Sequence, residues 1–168
     1  SVINTFISNN NIGIMDNIGV IQISGSNAKL QNVLFNENNG GIVLGEGSSI
    51  ELHHVTMANN NIITPIIMNN DASSTIIKNS IIWDSGLPLI ENSEAFFDVS
   101  YSDIDYDDFI GDGNISIDPE FVDYESDDYS LQSSSECINA GENEIWNLDL
   151  VAGHWDVQPQ RLYQRPLQ

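Results

Sequence analysis

The chain has 168 residues and carries 25 Asp and Glu against 4 Lys and Arg, for a net charge of −21. That imbalance excludes nucleic acid and anionic membrane surfaces as partners, because both are bound through Lys and Arg. No apolar run approaches the roughly 18–20 residues needed to span a bilayer, and the single Cys137 leaves no internal disulfide.

In chain order, short apolar runs alternate with polar punctuation. The line "VINTFISNN" comes first, followed by "GVIQI", "LQNVLFNENN", "GGIVLG", "ELHHVTMANN", "TPIIM", "IIKNSIIWDS", "AFFDV" and "FDVSYSDID". Apolar residues recur with a period near two in runs rich in Ile, Val, Thr and Phe, bounded by Gly, Asn, Asp and Ser, which is the pattern of strands rather than helices. About three such strands make up each line, and the line repeats. Aligned on the polar residue before its second strand segment, it falls at Asn4, Asn32, His54, Asn79 and Ser100, with spacings of 28, 22, 25 and 21 residues. Two residues beyond each anchor come Phe6, Leu34, Thr56, Ile81 and Ser102; six beyond come Asn10, Asn38, Asn60 and Ser85.

Repeats of this length with unequal loops describe the coils of a solenoid. Tandem hairpins need two-residue Asn-Gly turns, which are sparse here. The spacing therefore predicts an all-β chain, a parallel β-helix, with Phe6, Leu34 and Ile81 stacked inside it. Asn suits the anchor because it tolerates φ > 0 at a sharp corner. Stacked at the inter-strand spacing, identical amides can also bond to one another along the column. Of the adjacent pair His53 and His54, one is expected to face solvent and the other to occupy the anchor, since neighbouring strand residues point to opposite faces.

From Asn79 onward the chain resembles the C-terminal end of the right-handed parallel β-helix repeat domains of bacterial secreted and surface proteins. The stretches that carry the resemblance are "KNSIIWDSG", "VSYSDID", "GDGNISIDPEFVD" and "DYSLQSSSECINAG", which run from Lys78 to Gly141. The resemblance implies a secreted or cell-surface location. Residues 1–105 are read as stacked coils, and residues 106–168 as an acidic loop and capping region of the same domain. In that region Phe121, Val122, Tyr129, Leu131 and Ile138 are expected to fold over the open end of the core, which a solenoid must cover. The N-terminal edge enters directly into a strand pattern and is expected to meet the rest of a longer parent chain. Cys137, in "SECINAG", reads as a small buried core residue.

Candidate chemistry is concentrated in "DIDYDDFIGDG". Between Lys78 and Arg161 there is no Lys or Arg, although 20 of the 25 acids lie there. Uncompensated carboxylates invite a hard cation, so Asp103, Asp105, Asp107, Asp108 and Asp112 are candidate Ca²⁺ ligands, with a solvated acidic loop as the alternative. Position 6 counted from Asp103 is Asp108 rather than Gly, and position 12 is Asn114 rather than Glu, which excludes an EF-hand. Adjacent Asp107 and Asp108 resemble the acid pair of β-helical polygalacturonases. The Gly-His-Gly and basic stretches of those enzymes are missing, however, and no catalytic residue is assigned. Trp83, Tyr101 and Tyr106 are candidates for stacking on sugar rings, with core or cap packing as the alternative. The expected function is a non-catalytic scaffold, adhesin or glycan-binding module that recognises a polysaccharide or cell-surface glycan. The alternative is the C-terminal part of a β-helical lyase or glycoside hydrolase whose catalytic coils lie upstream.

Overall fold

A computed structural model of the chain describes residues 1–10, 19–60, 66–84, 95–105 and 111–142. In chain order the strands are β1 (Val2–Ser8), β2 (Ile21–Ile23), β3 (Asn27–Asn36), β4 (Ile42–Leu44), β5 (Ser49–Ala58), β6 (Ile67–Asn69), β7 (Ser74–Lys78), β8 (Ile81–Trp83), β9 (Phe96–Ser100), β10 (Asp103–Ile104), β11 (Phe121–Asp123) and β12 (Asp128–Leu131). Among the described residues there is no α-helix, only a 3₁₀ turn at Tyr124–Ser126. Strands β1, β3, β5, β7 and β9 pair in that order in one parallel sheet, and β8 and β10 extend it beyond the bend. Strands β2, β4 and β6 form a second parallel sheet. The chain is an all-β parallel β-helix of about three turns. Its register sets Val2 beside Leu30, Leu30 beside Leu52, Leu52 beside Ile77 and Ile77 beside Val99, so successive coils advance by 28, 22, 25 and 22 residues.

One bend in each coil falls at Asn4, Asn32, His54, Asn79 and Tyr101, all at φ between 51° and 54°; a second positive-φ series follows five residues on, at Asn9, Glu37 and Asn59. The fifth bend is therefore Tyr101 and not Ser100, which instead pairs in register with Lys78 inside β9. The bend constrains the backbone, and a bulky residue can meet that constraint where its side chain has somewhere to rest. The Tyr101 ring lies on Gly113, where an added Cβ would come within 2.4 Å of it.

The bend also resets which face each residue presents. Two residues before it, Leu30, Leu52, Ile77 and Val99 point into the solenoid; three after it, Phe35, Met57, Ile82 and Ile104 do the same. In an uninterrupted strand these two sets would lie on opposite faces, because their separation of five is odd. A single left-handed residue shifts the alternation by one. The column two residues past the bend therefore lies on the outer face, contrary to the expectation that Phe6, Leu34 and Ile81 stack inside. The in-register pairing of Phe6, Leu34, Thr56, Ile81 and Asp103 is present, but Phe6 is 75% exposed.

Polar columns tie the coils together. At the second corner, Asn10 Nδ2 donates to Asn38 Oδ1 (2.9 Å), and Asn38 Nδ2 donates to Asn60 Oδ1 (3.1 Å). The same two Oδ1 atoms accept the backbone N–H of Asn10 and Asn38. The column ends on a carboxylate: Asp84 Oδ1 and Oδ2 accept from Asn60 N and Nδ2, each at 2.8 Å. Asp84, and not Ser85, thus continues the column; Ser85 lies outside the described residues. Ser80 and Ser102 form a shorter column, in which Val55 N donates to Ser80 Oγ and Ser80 N to Ser102 Oγ.

Closure of the C-terminal end is achieved by residues 111–117. Tyr101 N donates to Asp112 O, Ile104 N to Ile115 O and Ile115 N to Ser102 O, which adds a partial rung. Gly111 passes so close to Val99 O that a Cβ there would lie 2.0 Å from it. The segment expected to cover this end runs instead along the flank. Phe121, Tyr129 and Leu131 are buried with Ala58, Ile81 and Cys137, Ile138 packs at their margin, and Val122 is 50% exposed. This flanking strap reaches Asn36, whose Nδ2 donates to Asp127 Oδ1, and Asn79, which exchanges two hydrogen bonds with the Glu142 backbone. It lies there because the outer column supplies apolar surface that the resetting of faces would otherwise leave wet.

Buried polar groups are costly when stranded, at about 1–3 kcal/mol each. Asn60→Ala removes the acceptor of Asn38 N and Nδ2 and the donor to Phe35 O and Ala58 O. It should lower unfolding stability in urea by about 3 kcal/mol or more. Asn10→Ala, at the exposed start of the same column, should cost less than about 1 kcal/mol.

Candidate functional site

The strap and the solenoid flank enclose a cleft of about 520 Å³ lined by Trp83, Asp105, Asp118, Glu120, Phe121, Tyr124 and Gln132. The solenoid side is built by stacking. Trp83 ends β8, and Asp105 follows β10 one coil on, its N–H donating to Ile82 O at 2.9 Å. The strap side is built by two tight turns. Asp118 Oδ1 accepts the N–H of Glu120, which sits at φ 52° and turns the chain into β11. Asp123 Oδ1 then accepts Ser126 N, closing the 3₁₀ turn that presents Tyr124. Gln132 is fixed by its backbone N–H to Glu120 O and its Nε2 to Phe121 O.

Aromatic packing stiffens that wall. Phe121 and Tyr124 stack with centroids 6.0 Å apart, and Tyr129 meets both edge-on at 5.3 and 5.8 Å. Such a triad contributes roughly 0.5–1.5 kcal/mol per pair beyond area burial. The result is a site with aromatic walls and three carboxylates at its rim. It can hold the apolar face of a ring while accepting hydrogen bonds from hydroxyl or amino groups.

Two further carboxyls lie beneath it. Asp84 is 2% exposed and is pushed up to about 6 by burial; its bonds from Asn60 pull the other way, and the Asp105 charge adds to the rise. Asp103 is 1% exposed and is also raised to about 6 by burial, against its bonds from Cys137 and Ile117 and with the charges of Asp105 and Asp118. Asp103 occupies the outer column under the strap, where its Oδ2 accepts from Cys137 Sγ at 3.0 Å and its Oδ1 from Ile117 N at 3.1 Å. Burial and that contact push the Cys137 thiol up, so it is a thiol at neutral pH rather than a nucleophile.

The residues expected from sequence are distributed as follows. Trp83 and Asp105 line the cleft, and Asp103 lies buried below it. Tyr101 forms the fifth bend, and Asp112 is exposed on the rung that closes the end. Tyr106, Asp107 and Asp108 lie outside the described residues. Among the described residues, no three His, Cys, Asp or Glu come together in a group that could hold a metal ion. His54 takes the anchor, buried at φ 54°, with Nε2 3.2 Å from Asn79 Nδ2. His53 faces outward, 3.5 Å from Glu51. Sequence reasoning missed Asp118, Glu120, Tyr124 and Gln132, and took Phe121 for an end cap. Only the lateral path of the strap brings these residues opposite Trp83.

A carboxyl whose folded pKa is raised destabilises the fold once it must ionise. Below pH 3.8 Asp84 is protonated in both states. Between about pH 4 and 6 only the unfolded chain gives up the proton, so the contribution to stability falls as pH rises through that window. His54, lowered to about 4 mainly by burial, acts in the opposite sense: its contribution falls as pH drops from 6.5 towards 4. The difference between Asp84→Asn and the parent isolates the carboxyl. The variant keeps an acceptor for Asn60, and its stability relative to the parent should grow by about 3 kcal/mol from pH 4 to pH 7. Urea titrations of both proteins across that range measure it. Comparison of the chain with protein-family models, with curated proteins and with solved structures finds no match.

Proposed function

We propose that the chain is a non-catalytic β-helical module of a secreted or cell-surface bacterial protein, which binds a neutral glycan in the cleft between Trp83 and the strap. The observation that carries this reading is the cleft itself, where Trp83, Phe121 and Tyr124 face a rim of Asp105, Asp118 and Glu120 with the Gln132 amide nearby. Sugar rings present an apolar face to aromatic side chains and hydroxyl donors to carboxylates, and this lining matches both. A polyanionic glycan would be repelled by the rim and by a net charge of −21.

The protonation states support binding over turnover. A general acid needs a carboxyl raised towards neutrality within reach of the leaving oxygen. The two carboxyls raised to about 6, Asp84 and Asp103, are buried and bonded inward to Asn60 and to Cys137 and Ile117. They are structural groups here.

A glycan array followed by calorimetry on the best neutral oligosaccharide tests the reading. Trp83→Ala and Gln132→Ala should each weaken binding at least tenfold. Unchanged affinity in both variants would overturn the assignment of the cleft. Incubation with pectin, alginate, chondroitin or neutral β-glucans, with or without Ca²⁺, should release no reducing ends and no unsaturated products. Product release that is lost on Asp105→Asn or Asp118→Asn would make the module an enzyme.

A further inference from the structure

The outer face of the main sheet gathers the few cations of this acidic chain. In β3, β5, β7 and β9 the side chains of Leu30, Leu52, Ile77 and Val99 point into the solenoid, so their neighbours in each strand point outwards. The register sets these neighbours in columns, of which one reads Lys29, Glu51, Ile76, Asp98 and the next carries His53 beside Lys78. Lys29 and Lys78 are the only Lys or Arg among the described residues, and both fall on this face. The Lys29 and Glu51 side chains are 36% and 43% exposed, Asp98 is exposed, and Phe96 near it is 60% exposed.

The charges along the first column are ordered. At one end Lys29 Nζ lies 3.2 Å from Glu51 Oε2, which is 3.5 Å from His53 Nε2. At the other end Asp98 forms no ion pair among the described residues, and neither does Lys78. Burial first, and then the Lys29 charge, hold His53 below its ordinary value. Its imidazole is therefore neutral at pH 7 and can accept a hydrogen bond.

We propose that this face is the contact surface of a symmetric pair, two copies of the chain packed sheet to sheet about a two-fold axis parallel to the strands. That rotation keeps the strand direction, as aligned sheet packing requires, and reverses the order of the coils. Lys29 of each copy then opposes Asp98 of the other, and Glu51 opposes Ile76. Lys78 opposes His53 of the other copy, within reach of its Glu51. A two-fold axis along the solenoid would instead set Lys29 on Lys29 and Asp98 on Asp98. The column is thus the complement of its own reverse, which is the condition for an isologous interface. A polyanion would meet Glu51 and Asp98 among the lysines, and a cationic partner would meet the lysines. Elsewhere the described surface has no Lys or Arg to offset its acids, so two chains of net charge −21 meet with least repulsion here. Trp83 and Asp105 lie beyond the bend, on the next face, and a pair therefore presents two clefts to one polysaccharide.

Strands about 4.8 Å apart and residues about 3.3 Å apart make this face smaller than the roughly 800 Å² per partner of a standard interface, so the pair is weak. Sedimentation equilibrium of the intact chain at pH 7, from about 10 μM to about 1 mM, should show a reversible monomer–dimer equilibrium. Lys29→Glu and Asp98→Lys should each weaken it at least tenfold, and the double variant should return it to within about threefold of the parent. Within one chain the two residues stand three inter-strand steps apart, about 14 Å, so only a contact between copies can restore it. Asp98→Lys also moves the net charge two units towards zero, which on general repulsion alone would strengthen association. Carbodiimide treatment of the parent, which joins an amine to a carboxylate with loss of water, should link Lys29 of one copy to Asp98 of the other. A monomer throughout the concentration range would overturn the inference. So would stronger association of Asp98→Lys, failure of the double variant to recover, or dimers cross-linked only at other residues.

Discussion

One backbone conformation recurs at Asn4, Asn32, His54, Asn79 and Tyr101, and the rest of the molecule is arranged around it. A residue at φ near +50° costs most side chains roughly 1–2 kcal/mol, and least for Asn. Repeated at the same height in every coil, it turns the strand through the corner and shifts the in–out alternation by one. The interior columns of Leu30, Leu52, Ile77 and Val99 and of Phe35, Met57, Ile82 and Ile104 follow directly. So does the outer column of Leu34, Thr56 and Ile81, which the strap must cover.

That outer column connects fold to site. A solenoid without exposed apolar surface would have no need for a strap, and without the strap Trp83 would stand on an open flank. Because Phe121, Tyr129 and Leu131 are drawn onto Ile81 and Ala58, the turns that precede and follow β11 are set beside the ends of β8 and β10. The same packing encloses Asp103, and the end of the Asn column fixes Asp84. Five acids thereby fall into two groups with different environments: Asp84 and Asp103 are buried and raised, while Asp105, Asp118 and Glu120 line the cleft. With only four Lys and Arg in the chain, burial and hydrogen bonding rather than salt bridges govern how Asp84 and Asp103 behave.

The two ends of the solenoid solve the same problem differently. At the C-terminal end residues 111–117 supply a last set of backbone partners, and Asn114 substitutes for a coil by accepting Ser102 N and donating to Val99 O. At the N-terminal edge Asn4 Nδ2 and Asn10 Oδ1 have no partner among the described residues.

Much of the fold was legible in the sequence, because a solenoid repeats its local rules. The period-two runs, the Asn spacing and the column of Phe6, Leu34, Thr56 and Ile81 come from neighbours in the chain, and they give the strands, the coil length and the register. The face that column presents was not legible: it depends on a positive φ that the letters permit but do not display, and at Tyr101 they do not even suggest it. Nor was the site. Trp83 ends a strand and Asp105 directly follows one, in coils whose stacking the repeat predicts, but Asp118, Glu120, Tyr124 and Gln132 belong to a segment that does not repeat. The sequence by itself determined the parallel β-helix, since short-range alternation and a tandem period suffice for it. Only the tertiary structure decided that the C-terminal segment lies along the flank rather than over the end, because that choice rests on which apolar surface the bends leave uncovered.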